Sequence, residues 1–183
     1  MSRSAAIAEG ILSCKVMTAR YLAGFDEASR VKQAPGLPNH AAWSLGHCAM
    51  YMHRVAERLD AKPMPASDFI IGDMTKPPAD PLAPRGDSAR FHTESVSFGS
   101  VPTADPARYP PLARAVEVFN NACDRFAAAV RSAPDAALDQ PTKWGAAELP
   151  IYLVCFRMIF HNGFHTGQIA DLRRALGFRS ILG

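Results

Sequence analysis

Residues 160–177 read FHNGFHTGQIADLRRALG and end the longest helical pattern in the chain, which runs from about Glu148 to Leu176. Within this stretch His161 and His165 are four residues apart. On a helix that spacing places two side chains on one face, with Cβ atoms about 5–6 Å apart. Two imidazole rings so placed can bind one metal ion, so the stretch predicts a long helix that carries two metal ligands.

The rest of this helix face indicates that the two histidines point into the protein. The same stripe carries three further residues: Met158, Gln168 and Leu172. Buried imidazoles need hydrogen-bond partners, so two buried rings without a role are disfavoured. An ordinary pair of histidines remains the alternative on this spacing alone. The pair is not the HExxH motif of metalloproteases, because Asn162 stands where that motif has its glutamate.

Three other segments repeat apolar residues at steps of three or four, which predicts helices. They cover residues 4–27, 40–59 and 111–131. Asn39 is a candidate N-cap for the second segment, and Pro111 suits the first turn of the third. Together with the C-terminal helix, and without an alternating strand pattern, these segments predict an all-α four-helix bundle.

The connection between predicted helices two and three, residues 60–110, is much longer than the roughly 2–8 residues common in bundles. Ten of the 15 prolines of the chain lie from Pro63 to Pro111. The connection also contains large apolar side chains: Phe69, Ile70, Ile71, Phe91, Phe98 and Tyr109. We therefore expect it to pack onto the helices, within a single domain that spans residues 1–183.

A catalytic metal ion commonly has three protein ligands, so a third histidine is needed. His47 is the best candidate, because it lies in an apolar stretch of the second helix, one turn after Trp43. A hydrogen-bonded core histidine is the competing interpretation of His47. We expect the other three histidines to lie away from the site, with His53 in solvent: His40, His53 and His92.

Two motifs together resemble those of a known family. The first is NHAAWSLGHCAMYMHRVAERL at residues 39–59, in which Trp43 and His47 form a WxxGH pattern. The second is the HxxxHxGQ pattern that runs from His161 to Gln168. The chain resembles the DinB-like (DinB/YfiT) family of metal-dependent enzymes over most of its length. It departs from the family in the 60–110 connection, which is longer than the usual one.

This resemblance implies a four-helix bundle in which His47, His161 and His165 bind one divalent metal ion. Imidazole suits several metals, and zinc or nickel is expected first, with iron and manganese as alternatives. Members of the family include thiol-dependent S-transferases and a thiol-dependent isomerase. The resemblance therefore also implies a low-molecular-weight thiol as a substrate, and a homodimer.

Three functions stay open from the sequence. The first is a metal-dependent transferase that joins a small thiol to an electrophile. The second is a metal-dependent hydrolase that uses metal-bound water, although no general base is evident near the histidines. The third is a stress-related or binding protein whose metal site only stabilises the fold. An open metal position beside a cavity would favour an enzyme, and a basic cavity wall would favour the transferase.

Neighbouring residues have supporting interpretations. Gln168 and Trp43 are candidates for holding the ligand histidines in place or for lining a substrate pocket. We expect close helix contact at Gly163 and Gly167. We also expect packing roles for Lys143 and Trp144, with lining a pocket as the alternative.

The composition indicates a protein without nucleic-acid or membrane partners. The chain has 183 residues and a formal net charge of +3 at pH 7, with no basic run. No stretch reaches the roughly 18 apolar residues of a membrane span, and no export segment is evident. The four cysteines lie in apolar stretches without a CxxC pair, which predicts buried free thiols. We expect a cytoplasmic protein that acts on a small molecule.

Overall fold

The computed structural model describes residues 2–73 and 85–181. This part of the chain is mostly helical, with short strands and one turn of 3₁₀-helix at Pro106–Arg108. The helices are α1 (Arg3–Leu22), α2 (Ala41–Asp60), α3 (Thr93–Val96), α4 (Leu112–Ser132), α5 (Asp135–Leu138) and α6 (Ile151–Ala175). The strands are β1 (Phe69–Ile70), β2 (Phe91–His92), β3 (Pro141–Trp144) and β4 (Ala147–Pro150). Four prolines of the predicted Pro-rich connection fall within residues 74–84, outside the described residues.

The N-termini of two long helices are held by side chains. Ser2 Oγ accepts from the Ala5 N–H at 3.2 Å at the start of α1. The N-cap of α2 is His40, whose Nδ1 accepts from the Trp43 N–H at 3.1 Å. The prediction of Asn39 as this cap is therefore wrong, because the Asn39 side chain donates to Gln168 Oε1 instead.

Two helices are shorter than predicted. Helix α1 ends at Leu22, where Gly24 turns the chain with a φ of +89°. Helix α6 starts at Ile151, because residues 141–150 form a small antiparallel hairpin in which Trp144 pairs with Ala147. This hairpin and the parallel pair β1–β2 were not expected from the sequence.

Each of the four long helices packs against two others: α1 against α4 and α6, and α2 against α4 and α6. The largest buried side chains between them are apolar, among them Ile11, Met52, Phe126 and Met158. Burial of such side chains stabilises a fold by roughly 1.5–3 kcal/mol each. The arrangement brings one face of α2 against one face of α6, where the predicted metal ligands lie.

The described part of the connection packs partly onto the helices. Phe69 and Phe91 are buried and stack with ring centroids 6.0 Å apart. Gly46 of α2 makes room for this packing, because a Cβ there would lie 2.7 Å from the Phe91 ring. Ile71 and Phe98 are instead exposed, so the expectation that the connection buries its apolar groups holds only for part of them.

Charged side chains attach the beginning of the connection to α2 and α4. His53 is only 1% exposed, so the prediction that it lies in solvent is wrong. Its Nδ1 lies 3.2 Å from Arg125 Nη1, and its Nε2 lies 3.8 Å from Asp68 Oδ2. Arg114 also donates to Asp68, at 2.7 Å. The connection folds back over this part of α2, which the pattern of α2 alone does not reveal.

Across residues 2–73 and 85–181, no helix combines the length and the apolar composition needed to cross a membrane.

Candidate metal centre

Three histidine side chains meet where α2 and α6 pack together. His47 comes from α2, and His161 and His165 come from α6. One ring nitrogen of each lies within 4.8 Å of those of the other two. His47 and His165 are buried, and His161 is partly exposed. The structure thus brings the three predicted ligands together, while their binding of a metal ion stays a prediction.

Hydrogen bonds orient two of these rings. His47 Nδ1 lies 2.7 Å from the carbonyl oxygen of Val96. His165 Nδ1 lies 2.8 Å from Gln168 Oε1, which also accepts from the Asn39 amide. Carbonyl oxygens only accept, so both Nδ1 atoms carry the proton and both Nε2 atoms keep a lone pair. Metal-bound histidines are usually held in this way.

His161 completes the set of ring nitrogens. Its Nε2 lies 3.0 Å from His47 Nε2. Two nitrogens bound to one tetrahedral ion at about 2.0–2.1 Å would lie about 3.3 Å apart. Its Nδ1 is buried without a hydrogen-bond partner among the described residues. The spacing of the Nε2 atoms fits a site that gathers its ring nitrogens around an ion.

The electrostatic environment keeps the rings neutral. Burial, together with the nearby His165 ring, lowers the pKa of His47 to about 3. Burial, again with the His165 ring, lowers the pKa of His161 to about 4. Burial also lowers the pKa of His165. At neutral pH the three imidazoles are therefore in the form that binds metal ions, and three such donors fit a divalent cation.

The second half of the connection, from Val96 to Thr103, holds aromatic side chains at the start of α2 through hydrogen bonds. Three ring N–H groups of these side chains donate to it: His47 Nδ1 to Val96 O at 2.7 Å, Trp43 Nε1 to Ser100 Oγ at 2.9 Å and His40 Nε2 to Thr103 O at 3.0 Å. Trp43 also stacks on His47, with ring centroids 4.4 Å apart and 16° between the planes. Trp43 is thus placed to hold the His47 ring, as one of its two predicted roles requires.

A cavity of about 490 Å³ opens beside His47 and His161. Besides these two residues and Gly145, its wall consists of three cationic and three aromatic side chains: Arg54, Arg58, Lys143, Tyr51, Phe98 and Trp144. Among the described residues no carboxylate lines it. A ligand in this cavity would meet histidine nitrogens, positive charge and aromatic surface.

Part of this wall follows from the sequence. Tyr51, Arg54 and Arg58 come four, seven and eleven residues after His47, so helical periodicity places them on the His47 face of α2. Helical spacing from His47 is therefore the signal that identifies these three wall residues. Lys143 and Trp144 were expected to pack, with lining a pocket as the alternative, and they line the cavity on the hairpin that Arg58 attaches to α2.

Two further predictions have clear outcomes. All four cysteines are free and buried, as predicted. The expectation that Gly163 and Gly167 allow close helix packing within the protein is wrong. Both are exposed, and a Cβ added at either would meet no atom within 4 Å.

Comparison with known proteins supports the family assignment. Neither the curated proteins nor the solved structures contain a match to the chain. The family model of the DinB superfamily matches residues 14–169. This span contains all three clustered histidines and both motifs that carry the resemblance. The chain therefore belongs to the DinB superfamily.

Proposed function

We propose that the protein is a metal-dependent transferase that joins a small thiol to an electrophilic substrate. One observation carries the proposal: three neutral imidazoles converge beside a cavity whose wall is cationic and aromatic. Membership of the DinB superfamily supports a metal-dependent activity.

The scaffold of this site is, in our proposal, a four-helix bundle of α1, α2, α4 and α6 within a single domain. The pairwise packing of these helices supports it. The Pro-rich connection would then serve as the covering segment, and two observations on its described part agree: Val96 holds His47, and Phe98 lines the cavity.

The metal ion in this proposal is zinc or nickel, with iron and manganese as alternatives, because imidazole ligands suit each of them. His47, His161 and His165 would hold it through ring nitrogens. When bound, such an ion supplies a Lewis acid that favours the thiolate form of a thiol at neutral pH. The Val96 carbonyl and Gln168 would keep the His47 and His165 rings in place, so that less reorganisation accompanies binding.

The cationic wall selects the thiol. Arg54, Arg58 and Lys143 lie on the cavity wall with His47 and His161. Guanidinium groups bind carboxylates in a bidentate manner, so a thiol that carries carboxylates would be held with its sulfur directed to the histidines. Arg58 also donates to the Lys143 carbonyl at 2.8 Å, which attaches the hairpin to α2. Arg54 is therefore the side chain best placed to act mainly on the substrate.

Two features disfavour the other functions. A hydrolase needs a general base near its water, and no carboxylate lines the described part of the cavity. A purely structural metal site is usually closed by four protein ligands. The group found among the described residues has three histidines and lies beside a cavity.

The test is an assay of the metal-loaded protein with thiols that do or do not carry carboxylates, each paired with a chromogenic electrophile. We expect the sulfur of the carboxylate-bearing thiol to form a carbon–sulfur bond to the electrophile, with the thiol proton released to solvent and the electrophile's leaving group released as an anion. Arg54→Ala should raise the KM for that thiol about tenfold and leave the neutral thiol unaffected. Arg131→Ala, on the exposed surface of α4, is the matched control and should change neither value.

Two outcomes would contradict the proposal. Hydrolysis of activated esters without any thioether product would support the hydrolase. Stoichiometric metal without turnover of any pair would support the non-catalytic function.

A further inference from the structure

Tyr51 on the cavity wall contacts the histidine cluster directly. It lies on α2, one turn after His47. Its ring centroid is 4.9 Å from that of His47 and 5.8 Å from that of His161. Both of these histidines line the same cavity as Tyr51. A substrate atom held at their Nε2 atoms would therefore lie next to the Tyr51 side chain.

The Tyr51 hydroxyl is held in place by the connection. Its oxygen accepts a hydrogen bond from the Phe98 N–H at 3.2 Å. Phe98 also lines the cavity, so this bond keeps the hydroxyl at the cavity wall. A hydroxyl that accepts one hydrogen bond keeps its own hydrogen for donation. Within residues 2–73 and 85–181 that hydrogen has no protein acceptor, so a ligand in the cavity can accept it.

Two further contacts hold the Tyr51 ring. Trp144 packs edge-on against it, with ring centroids 6.2 Å apart, and the guanidinium carbon of Arg54 lies 5.6 Å from its centroid. A donor that is in place before the substrate arrives needs little rearrangement during the reaction, so its hydrogen bond stabilises developing charge effectively. Because Arg54 is cationic, negative charge that develops beside this ring is attracted and not repelled.

We propose that the Tyr51 hydroxyl donates a hydrogen bond to the leaving group of the electrophile, an inference that rests on the thiol transfer proposed above. In that reaction the thiol releases its proton to solvent, and its sulfur forms a bond to carbon. The bond from this carbon to the leaving group breaks, and the leaving group takes both bonding electrons and departs as an anion. Tyr51 keeps its proton throughout. Its hydrogen bond strengthens as the negative charge develops, so it stabilises the transition state more than the bound substrate.

The position of the hydroxyl favours the leaving group over the sulfur as its acceptor. The sulfur would lie at the inner end of the cavity, where His47 and His161 meet. The leaving group departs on the side of the reacting carbon that faces away from the sulfur. Phe98, which binds the hydroxyl, is 87% exposed and therefore lies at the cavity mouth. A leaving group directed toward the mouth thus meets the Tyr51 hydroxyl.

Binding of an anion that resembles the leaving group tests the proposal without turnover. The probe is para-nitrophenolate, titrated into the purified full chain at a pH at which it is ionised and followed by its absorption band. Tyr51→Phe keeps the aromatic ring and removes only the hydroxyl, so the dissociation constant should rise about 10-fold. Tyr152→Phe is the matched control, because Tyr152 packs against Arg3 outside the cavity wall, and it should leave the constant unchanged. A wild type that does not bind the probe, or a Tyr51→Phe variant that binds it equally well, would overturn the proposal.

Kinetics with two leaving groups test the role of Tyr51 in turnover. Two electrophiles share one carbon framework and carry either para-nitrophenolate or bromide, which accepts hydrogen bonds weakly. Tyr51→Phe should lower kcat about 10–100-fold with the first and less than about threefold with the second, at an unchanged KM for the thiol. An equal loss with both would overturn the proposal, because a displaced Phe98 would affect both reactions alike. Absence of any carbon–sulfur product with the wild type would instead contradict the proposed transferase, and the titration then decides whether Tyr51 holds an anion.

Discussion

Helix α2 carries two buried histidines six residues apart, and their surroundings differ. The ring of His47 donates from Nδ1 to a backbone carbonyl, and its Nε2 lies 3.0 Å from His161 Nε2 beside a cavity. The ring of His53 lies between Arg125 and Asp68, so both of its nitrogens face charged side chains. The first ring has a lone pair available for a ligand, whereas the second is engaged in attaching the connection.

The difference means that burial alone does not distinguish the proposed metal ligand from a histidine that attaches the connection. His47 and His53 are both buried, and both lie on the helix that carries the WxxGH motif. What separates them is what the second ring nitrogen faces: Nε2 of His47 faces another histidine beside a cavity, and Nε2 of His53 faces the Asp68 carboxylate at 3.8 Å. The following changes test this contrast, beginning with the largest expected effect.

Asp68→Ala tests the contact by which the connection attaches to α2 near His53. Asp68 is buried and receives a hydrogen bond from Arg114. Removing one partner of a buried ion pair typically costs about 3–5 kcal/mol, and we expect a loss near the lower end because Arg114 keeps other partners. Urea unfolding measures it. Metal content should stay unchanged. Metal loss from the folded variant would show that the surroundings of His53 and those of His47 are not independent.

His40, the N-cap of α2, is a third buried histidine, and it tests the role of a cap. Burial lowers its pKa to about 4, below the roughly 6.5 of an unfolded chain. The unfolded state therefore binds a proton more readily between these values, so stability falls as the pH drops. From pH 7 to pH 5 this histidine should account for a loss of about 2 kcal/mol.

His40→Asn keeps a residue that can cap α2 and removes the titrating group. Between pH 7 and pH 5 the free energy of unfolding of this variant should therefore fall by about 2 kcal/mol less than that of the wild type. Unfolding curves of both proteins at the two pH values provide the measurement. If the unfolding free energy changed equally with pH in both proteins, His40 would not be held neutral by burial.

Gln168→Ala tests the support of the proposed metal ligand His165. Of the three substitutions, it should have the smallest effect on stability. The change removes the oxygen that holds His165 Nδ1. Loss of such a contact typically lowers metal affinity about 10–100-fold, while stability without metal should change by less than about 1 kcal/mol. Competition with a chromogenic chelator measures the affinity. Gln168→Glu retains an acceptor and should bind like the wild type; an equal loss in both variants would argue against this role.

Much of the site was predictable, because it depends on local spacing along helices. His161 and His165 are one helical turn apart, and His47 lies in a recognisable motif. The positions of the four long helices also follow from apolar periodicity, to within a few residues at most ends.

The remainder depends on contacts between distant parts of the chain. His53 was misplaced because its partner Asp68 lies in the connection, which no helical pattern describes. The Val96 carbonyl carries no signal in the sequence, since every residue has one. The hairpin at residues 141–150 is short, and Trp144 lines the cavity only when β3 pairs with β4, the strand just before α6.

Metal analysis of purified protein tests the central claim most directly. The wild type should contain stoichiometric divalent metal, and the variant His161→Ala with His165→Ala should contain almost none while remaining folded. The His53→Gln variant, which changes the other buried histidine of the comparison, should keep its metal. Stoichiometric metal in the double variant, or its loss from folded His53→Gln protein, would contradict the account.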